Sequence, residues 1–210
     1  MIRVLVADDH AVVRRGVVQI LAESPHIVVA GEASCGSEVL RAVRENDYDI
    51  VLLDIAMPGG SGLEVLKELQ SLKPDVQVLI LSMYPEKQYA LRALKAGAAG
   101  YLTKDSAPDE LIEAIERISQ GNKYITRSLA QEMASELGGK AGKELHEALS
   151  DREYQVMCLL AAGKSVSEIA TQLSLSVKTV STYRTRILEK LDLKTTAEIM
   201  HYALARGLVE

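Results

Sequence analysis

The feature that most constrains this chain is the way its first 124 residues switch between two hydrophobic periodicities. Short runs at 2–7, 27–31, 50–53, 76–81 and 100–102 are rich in apolar and β-branched residues and carry apolar side chains on both faces of an extended segment. Between them lie stretches with apolar residues at helical spacing, such as Leu63, Leu66, Leu69 and Leu72. These predict helices over 11–23, 36–46, 62–72, 86–96 and 107–120. Strands apolar on both faces, separated by single helices, require a parallel sheet covered on both sides. Five such units predict a doubly wound α/β domain whose functional groups gather beyond the carboxyl ends of the strands.

The alternation then stops. Residues 125–147 are rich in Ala, Glu and Ser and predict a helix over 128–137. Gly138, Gly139 and Gly142 interrupt it and favour a flexible connection. From 148 onward no β-like run occurs, only helical patterns at about 151–162, 166–173, 177–191 and 195–206. The expected organisation is an α/β domain over 1–124, a partly helical linker over 125–147 and an all-α, four-helix domain over 148–210.

No apolar run approaches the roughly 20 residues of a membrane span, and the short apolar start reaches Asp8 and Asp9 too soon for a signal peptide. A cytoplasmic protein without a membrane partner is expected. Cys35 and Cys158 have neither a second cysteine nor a histidine at metal-ligand spacing and read as small apolar residues. The net charge of −5 argues at first against nucleic acid. It is unevenly divided, however: residues 1–124 carry −5 and residues 148–210 carry +1. A polyanion should therefore meet the C-terminal domain.

Three carboxylates sit where the fold should bring them together. Asp8 and Asp9 end the first strand and Asp54 ends the third, and placing those strands side by side converges the acids on one edge. Clustered carboxylates repel and need a cation, and hard oxygen ligands suit Mg2+. Ser82 ends the fourth strand and Lys104 follows the fifth, so both belong to the same crevice. A hydroxyl and an ammonium beside three acids make sense if a phosphoryl group arrives there. Each residue alone also has a plainer reading: Asp8-Asp9 as a helix cap, Asp54 as the end of a strand, Lys104 as a solvated lysine.

Together with the run Asp54-Ile55-Ala56-Met57-Pro58-Gly59-Gly60-Ser61-Gly62 and the segment Ala96-Gly97-Ala98-Ala99-Gly100-Tyr101, these residues make 1–122 resemble a receiver domain of two-component signalling. The resemblance implies a five-stranded, flavodoxin-like sheet. It implies Asp54 as the phosphoacceptor, served by a sensor histidine kinase, and Mg2+ held by Asp8, Asp9, Asp54 and the backbone carbonyl of Ala56. Ser82 and Lys104 would bind the phosphoryl group, and Tyr101 would rotate inward on activation. The chain departs from many receivers in having Asp105, not proline, after Lys104, which leaves the isomer of that peptide open.

In the C-terminal domain Ser150 and Glu153 form a capping box at a helix start. Two helical segments, 166–173 and 177–191, flank the short turn Ser174-Leu175-Ser176 and share an apolar face of Ile169, Ala170, Leu173, Val180, Ile187 and Leu191. That is a helix-turn-helix whose second helix suits the major groove of double-stranded DNA. From Lys178 to Lys194 five basic residues face two acids. Such a stripe suits phosphate contacts, although a solvated basic face reads the same way on charge alone.

The runs Leu149-Ser150-Asp151-Arg152-Glu153 and Ser176-Val177-Lys178-Thr179-Val180 make 149–210 resemble a LuxR-type DNA-binding domain. The whole chain thus resembles a NarL/FixJ-type response regulator. The resemblance implies that Ser181, Thr182 and Thr185 face bases, while Lys178, Thr179, Tyr183, Arg184 and Arg186 hold the backbone. It also implies an active homodimer formed with the last helix, and a receiver that restrains the DNA-reading helix until it is phosphorylated. An enzyme is not expected. A phosphatase with an aspartyl nucleophile usually shows a second acid two positions on, and Ala56 stands there. The alternative of a regulator acting through protein contact alone is disfavoured by the full acidic set.

Overall fold

A computed structural model of the chain describes residues 1–57, 61–138 and 144–209. Two compact units form, Met1–Ala134 and Ser135–Glu210.

In the first unit, strands β1 (Ile2–Ala7), β2 (Ile27–Ala33), β3 (Ile50–Leu53), β4 (Gln77–Ser82) and β5 (Gly100–Thr103) make one parallel sheet in the order β2-β1-β3-β4-β5. Helices α1 (Ala11–Ala22), α2 (Gly36–Glu45), α3 (Gly62–Leu72), α4 (Glu86–Lys95) and α5 (Pro108–Ser119) connect and follow the strands. Successive strand side chains point to opposite faces, and both faces are buried. Val4, Val6, Ile50, Leu52 and Leu79 pack with Val17 and Leu21 of α1 and with Leu111, Ala114, Ile115 and Ile118 of α5. Their alternates Leu5, Val51, Leu53, Val78 and Ile80 are equally buried, and α2, α3 and α4 bury Val39, Val43, Leu63, Leu66, Leu69, Tyr89 and Ala93. Each valine, leucine or isoleucine among them contributes roughly 1.5–3 kcal/mol on leaving water. The near-continuous apolar strands of the sequence therefore have a physical cause: along β3, most of β4 and β1 from Val4 onward neither face of the sheet meets solvent, whereas the edge strand β2 is mostly half-buried.

Register decides where the acids lie. Ala7 of β1 pairs with Leu53 of β3, and the Asp54 amide donates to the Ala7 carbonyl at 3.0 Å. The next residues on each strand, Asp8 and Asp54, thus leave the sheet side by side. The Lys104 amide donates to the Ser82 carbonyl at 2.8 Å, which fixes the far side of the same edge.

Helix α6 (Arg127–Gly138) begins in the first unit, and the division at 134/135 falls inside it. Contacts of the first unit extend past residue 124. Tyr124 bridges to Gly100, the Thr126 hydroxyl donates to Glu86 at 2.6 Å and accepts from the Leu129 amide, and Leu129 is buried. Of the glycines read as a flexible break, Gly138 ends α6, whereas Gly139 and Gly142 lie outside the described residues.

The second unit holds α7 (Asp151–Ala161), α8 (Val166–Gln172), α9 (Val177–Leu191) and α10 (Thr196–Ala205). Ser150, Ser165, Ser176 and Thr195 cap their N-termini, and the first two form full capping boxes with Glu153 and Glu168. The turn between α8 and α9 closes through Ser174 at φ 53°, and Asp192 ends α9 at φ 54°. Ile169, Ala170, Leu173, Val180, Ile187, Leu191, Ile199 and Ala203 are buried, the apolar face expected of a helix-turn-helix with a supporting helix. A short 3-10 turn, Leu145–Ala148, precedes α7 and was not foreseen. Its His146 amide donates to the Tyr202 hydroxyl of α10 at 3.3 Å, a long-range tie with no periodic signature.

Candidate metal centre and nucleic-acid interface

The β1 and β3 ends bring Asp8, Asp9 and Asp54 together with His10, one ligand atom from each lying within 4.8 Å of the others. An ion with bonds of about 2.1 Å spans about 4.2 Å between opposite ligands, so the donors suit a single hard dication after small adjustment. Asp8 is 3% and Asp54 1% exposed. Carboxylates so deeply buried need a countercharge, and Lys104 supplies it: Nζ lies 2.6 Å from Asp8 Oδ2 and 2.7 Å from Asp54 Oδ2, with its side chain 4% exposed. Burial pushes the Asp54 carboxyl above the usual carboxylate range, against the pull of Lys104 and of the Ala56 amide, which donates to Asp54 Oδ1 at 3.1 Å. Burial works to lower the Lys104 ammonium, but the Asp54 and Asp8 carboxylates outweigh it and hold its pKa raised.

Local sequence builds the rim. Ser61, fully buried, caps α3 in a capping box with Glu64. Gly62 starts the helix directly against the backbone of Asp54 and Ile55, where a Cβ would strike the Asp54 carbonyl oxygen. Arg14 of α1 donates through NH1 to the Asp8 carbonyl at 2.6 Å and through Nε to Glu32 at 2.9 Å, clamping the turn that carries the paired acids. Pro58, Gly59 and Gly60 lie outside the described residues.

Ser82 and Tyr101 stand behind this edge. Ser82 is fully buried, and its Oγ accepts from the Tyr84 amide at 3.3 Å. Tyr101, expected to turn inward on activation, is inward in this structure: it is 1% exposed and its hydroxyl donates to the Tyr84 carbonyl at 2.8 Å. Burial pushes its phenol far above the usual range, so it acts as a neutral donor. The Lys104–Asp105 peptide is trans, there being no cis peptide bond among the described residues.

In the second unit, α9 presents Lys178, Ser181, Thr182, Thr185 and Arg186 to solvent, with Thr179, Tyr183 and Arg184 half-buried. Several of these groups have local partners. The Thr182 hydroxyl donates to the Lys178 carbonyl at 3.0 Å and the Thr185 hydroxyl to the Ser181 carbonyl at 3.2 Å. Thr179 and Ser176 pair through their hydroxyls at 2.8 Å at the helix cap. Arg184 Nε reaches Thr196 Oγ1 at 2.7 Å, tying α9 to α10. Lys190, counted in the basic stripe, turns away to Glu153 at 2.6 Å. Burial alone would raise the Glu153 carboxyl, but Lys190 and Ser150 hold it below the usual range.

Sequence reasoning missed His10 and Arg14 at the acidic edge and the inward duties of Arg184 and Lys190. The Asp-Asp-His run was a visible signal for His10; the other three contacts depend on tertiary geometry.

Comparison with known proteins agrees with this arrangement. Residues 4–116 match the response regulator receiver domain, and residues 147–203 match the LuxR family of bacterial regulatory proteins. The response regulator UvrY of Escherichia coli is 40% identical over 209 residues, 99% of this chain and 96% of that protein. The response regulator GacA of Pseudomonas aeruginosa is 38% identical over 211 aligned positions, 100% of this chain and 99% of that protein. Among solved structures, RcsB from Salmonella enterica serovar Typhimurium, bound to promoter rprA in the presence of phosphomimetic BeF3-, superposes with a TM-score of 0.66 at 25% identity, covering 98% of this chain and 100% of that one. A LuxR-family two-component response regulator from Aurantimonas superposes with a TM-score of 0.60 at 36% identity, over 65% of this chain and 98% of that one. With a parallel sheet that gathers acids at one edge in its first unit, a helix-turn-helix in its second and matches to both along the chain, this protein belongs to the NarL/FixJ-type two-component response regulators, which control transcription through phosphorylation.

Proposed function

We propose that Asp54 is the phosphoacceptor and that its phosphorylation controls DNA binding by α9. The observation that carries this reading is the buried Asp8–Lys104–Asp54 bridge, with Nζ within 2.7 Å of both carboxylates. An Asp54 oxygen attacks the phosphorus of a phosphohistidine on a sensor kinase. The P–N bond breaks, and its electron pair stays with the imidazole, which takes up a proton. Asp8, Asp9 and Asp54 and the Ala56 carbonyl would hold Mg2+, which offsets the negative charge gathered around the transferred group. Lys104 then has a phosphoryl oxygen to bind in place of a carboxylate, and the Ser82 hydroxyl another. The added charge on Asp54 draws Ser82 forward, and Tyr101, already inward and bonded to the Tyr84 carbonyl in this structure, couples that movement to the β4–α4 loop.

In the second domain Ser181, Thr182 and Thr185 are the base-facing groups. Lys178 and Arg186, with Thr179, Tyr183 and Arg184, meet the phosphate backbone of duplex DNA in the major groove. The functional boundaries are a receiver over 1–124, a partly helical linker over 125–147 and a DNA-binding domain over 148–210, acting as a homodimer in the cytoplasm. No outside substrate is turned over, because the methyl side chain of Ala56 cannot protonate a leaving group.

The test is incubation with acetyl phosphate and Mg2+ followed by intact-mass measurement and DNA binding. The wild type should gain one phosphoryl group and bind a selected operator more tightly, and Asp54→Ala should do neither. Equal mass gain in both proteins would refute the assignment.

A further inference from the structure

Thr126 joins two separately supported parts of the first unit. Its carbonyl accepts from the Ala130 amide at 3.0 Å and its hydroxyl from the Leu129 amide at 3.2 Å, so it is the N-cap of α6. A hydroxyl has a single proton to give, and Thr126 gives it to Glu86 Oε1 at 2.6 Å. So short a bond is characteristic of a carboxylate acceptor. Both residues are half-buried, which shields the bond from water.

The partners of that bond are anchored differently. The Tyr124 amide donates to the Ala99 carbonyl at 2.9 Å and Tyr124 bridges to Gly100, so the chain entering Thr126 is tied to β5. The approach is close: a Cβ on Gly100 would lie 2.9 Å from the Tyr124 carbonyl oxygen. Glu86, by contrast, is the first residue of α4 and stands two positions after Tyr84. The Tyr84 amide donates to Ser82 Oγ, and its carbonyl accepts from Tyr101. A shift of Ser82 toward Asp54 therefore reaches Glu86 through a short stretch of backbone, while β5 holds Thr126 in place. An acid in the first turn of a helix ordinarily serves that helix's own N-terminus. Glu86 instead extends its carboxylate to the cap of another helix, although Pro85 gives α4 no side-chain cap.

We infer that the Glu86–Thr126 bond is the outlet through which the first unit passes its state to α6: displacement of the β4–α4 loop on phosphorylation draws Glu86 away and weakens the α6 cap. This rests on the reading that Asp54 accepts the phosphoryl group and that the loop moves in response. A displacement of about one ångström takes the bond beyond hydrogen-bonding range. The Thr126 hydroxyl then turns freely, the Leu129 amide loses a fixed acceptor, and the first turn of α6 opens more often. Glu86 and Thr126 are positioning residues and take no part in the transfer itself.

The experiment uses the full-length protein, Thr126→Val, Thr126→Ser, Glu86→Ala and Asp54→Ala, each with and without acetyl phosphate and Mg2+. The readouts are intact mass, amide hydrogen exchange at Leu129 and Ala130, and affinity for a selected operator. In the wild type, exchange at these amides should quicken on the order of five- to tenfold along with the mass gain, the opening expected when a helix loses its N-cap. Thr126→Val and Glu86→Ala should gain the same mass, exchange fast from the outset, and lose most of the phosphorylation-dependent change in operator affinity. A purely structural cap would leave that change intact. Thr126→Ser keeps both bonds and should behave as the wild type. A wild type that gains mass without faster exchange at these amides overturns the inference, and this measurement decides the matter if a variant fails to fold. A folded Thr126→Val or Glu86→Ala protein with the full affinity response overturns it too. Either result leaves Asp54 as the phosphoacceptor. No mass gain in the wild type, or an equal gain in Asp54→Ala, overturns that reading and the inference with it.

Discussion

Lys104→Met isolates what the countercharge in the acidic edge is worth. Methionine keeps most of the volume of the side chain and removes the ammonium that lies 2.6 Å and 2.7 Å from two carboxylates. Asp8 and Asp54 are 3% and 1% exposed, so solvent cannot substitute for the missing charge. Breaking a buried pair by removing one partner costs about 3–5 kcal/mol, a large share of the roughly 5–15 kcal/mol that holds a typical domain together. The assay is urea unfolding of the full-length protein in metal-free buffer, followed by circular dichroism. The first unit should unfold at a markedly lower midpoint in the variant. Mg2+ should restore much of the loss, because an ion held only by the native site stabilises by about 2.7 kcal/mol at a hundred times its dissociation constant.

The pH dependence has a fixed sign. Burial raises the Asp54 carboxyl and Lys104 pulls it down, so in the variant it rises further. Between the unfolded and folded values the native state binds the extra proton, and stability falls as pH rises through that window. Without Lys104 the window extends upward. The penalty should therefore be greatest near neutrality and shrink as pH is lowered toward about 4, where an ordinary aspartate takes up its proton. A variant as stable as the wild type at neutral pH without metal, or a penalty that grows on acidification, would refute the reasoning.

Other substitutions test the supports around this edge and the DNA-reading helix. Gly62→Ala puts a methyl onto the Asp54 carbonyl; it should cost about 1–3 kcal/mol in thermal melting and slow the mass gain with acetyl phosphate. Glu153 is held below the usual carboxylate range by Lys190 and Ser150, against burial. Its contribution is present above the ordinary glutamate value and lost as pH falls through its lowered folded value. Glu153→Gln should accordingly cost about 1 kcal/mol at neutral pH, little of it from the half-exposed Lys190, and should flatten the acid side of the stability profile. Arg186→Ala should reduce the slope of log affinity against log salt by about one on any DNA. Arg184→Ala should in addition lower the melting temperature, because Arg184 also ties α9 to Thr196.

The doubly wound sheet was legible because burial on both faces leaves a mark in the central strands: Val4, Leu5, Val6 and Ile50 through Leu53 offer no polar alternate. The helix-turn-helix was legible through the short turn Ser174-Leu175-Ser176 and the apolar face of Ile169, Ala170, Leu173, Val180, Ile187 and Leu191 on either side of it, whereas the caps at Ser165 and Ser176 emerged only in the structure. Asp8 and Asp54 could be paired once strand order was assumed, since the residues after paired strand ends must emerge together. What stayed hidden were contacts made by long side chains. Lys104 reads as a phosphoryl ligand from its position after β5, yet it spends its charge on two acids. Lys190 reads as part of a basic stripe and lies instead on Glu153, in a different helix. Periodicity reports which face a residue occupies and is silent on where a flexible cation ends. The 3-10 turn at Leu145–Ala148 was missed for a related reason, being held by Tyr202 and not by any local pattern.

The bonds from Thr182 and Thr185 back to their own helix carry a consequence for how sequences are told apart. A hydroxyl that has donated its proton offers only lone pairs and a neighbouring methyl group. If α9 reads bases through these groups, as proposed, its face would favour thymine methyls and amino groups of adenine or cytosine. It lacks the two-pronged grip that an arginine places on guanine, worth about 1–3 kcal/mol per base pair. Under the base-facing assignment proposed above, such a face would discriminate weakly at each position, and selectivity for one promoter among many would accumulate from a second copy of the helix in the proposed homodimer. Control over pairing of the subunits would then amount to control over which genes are read.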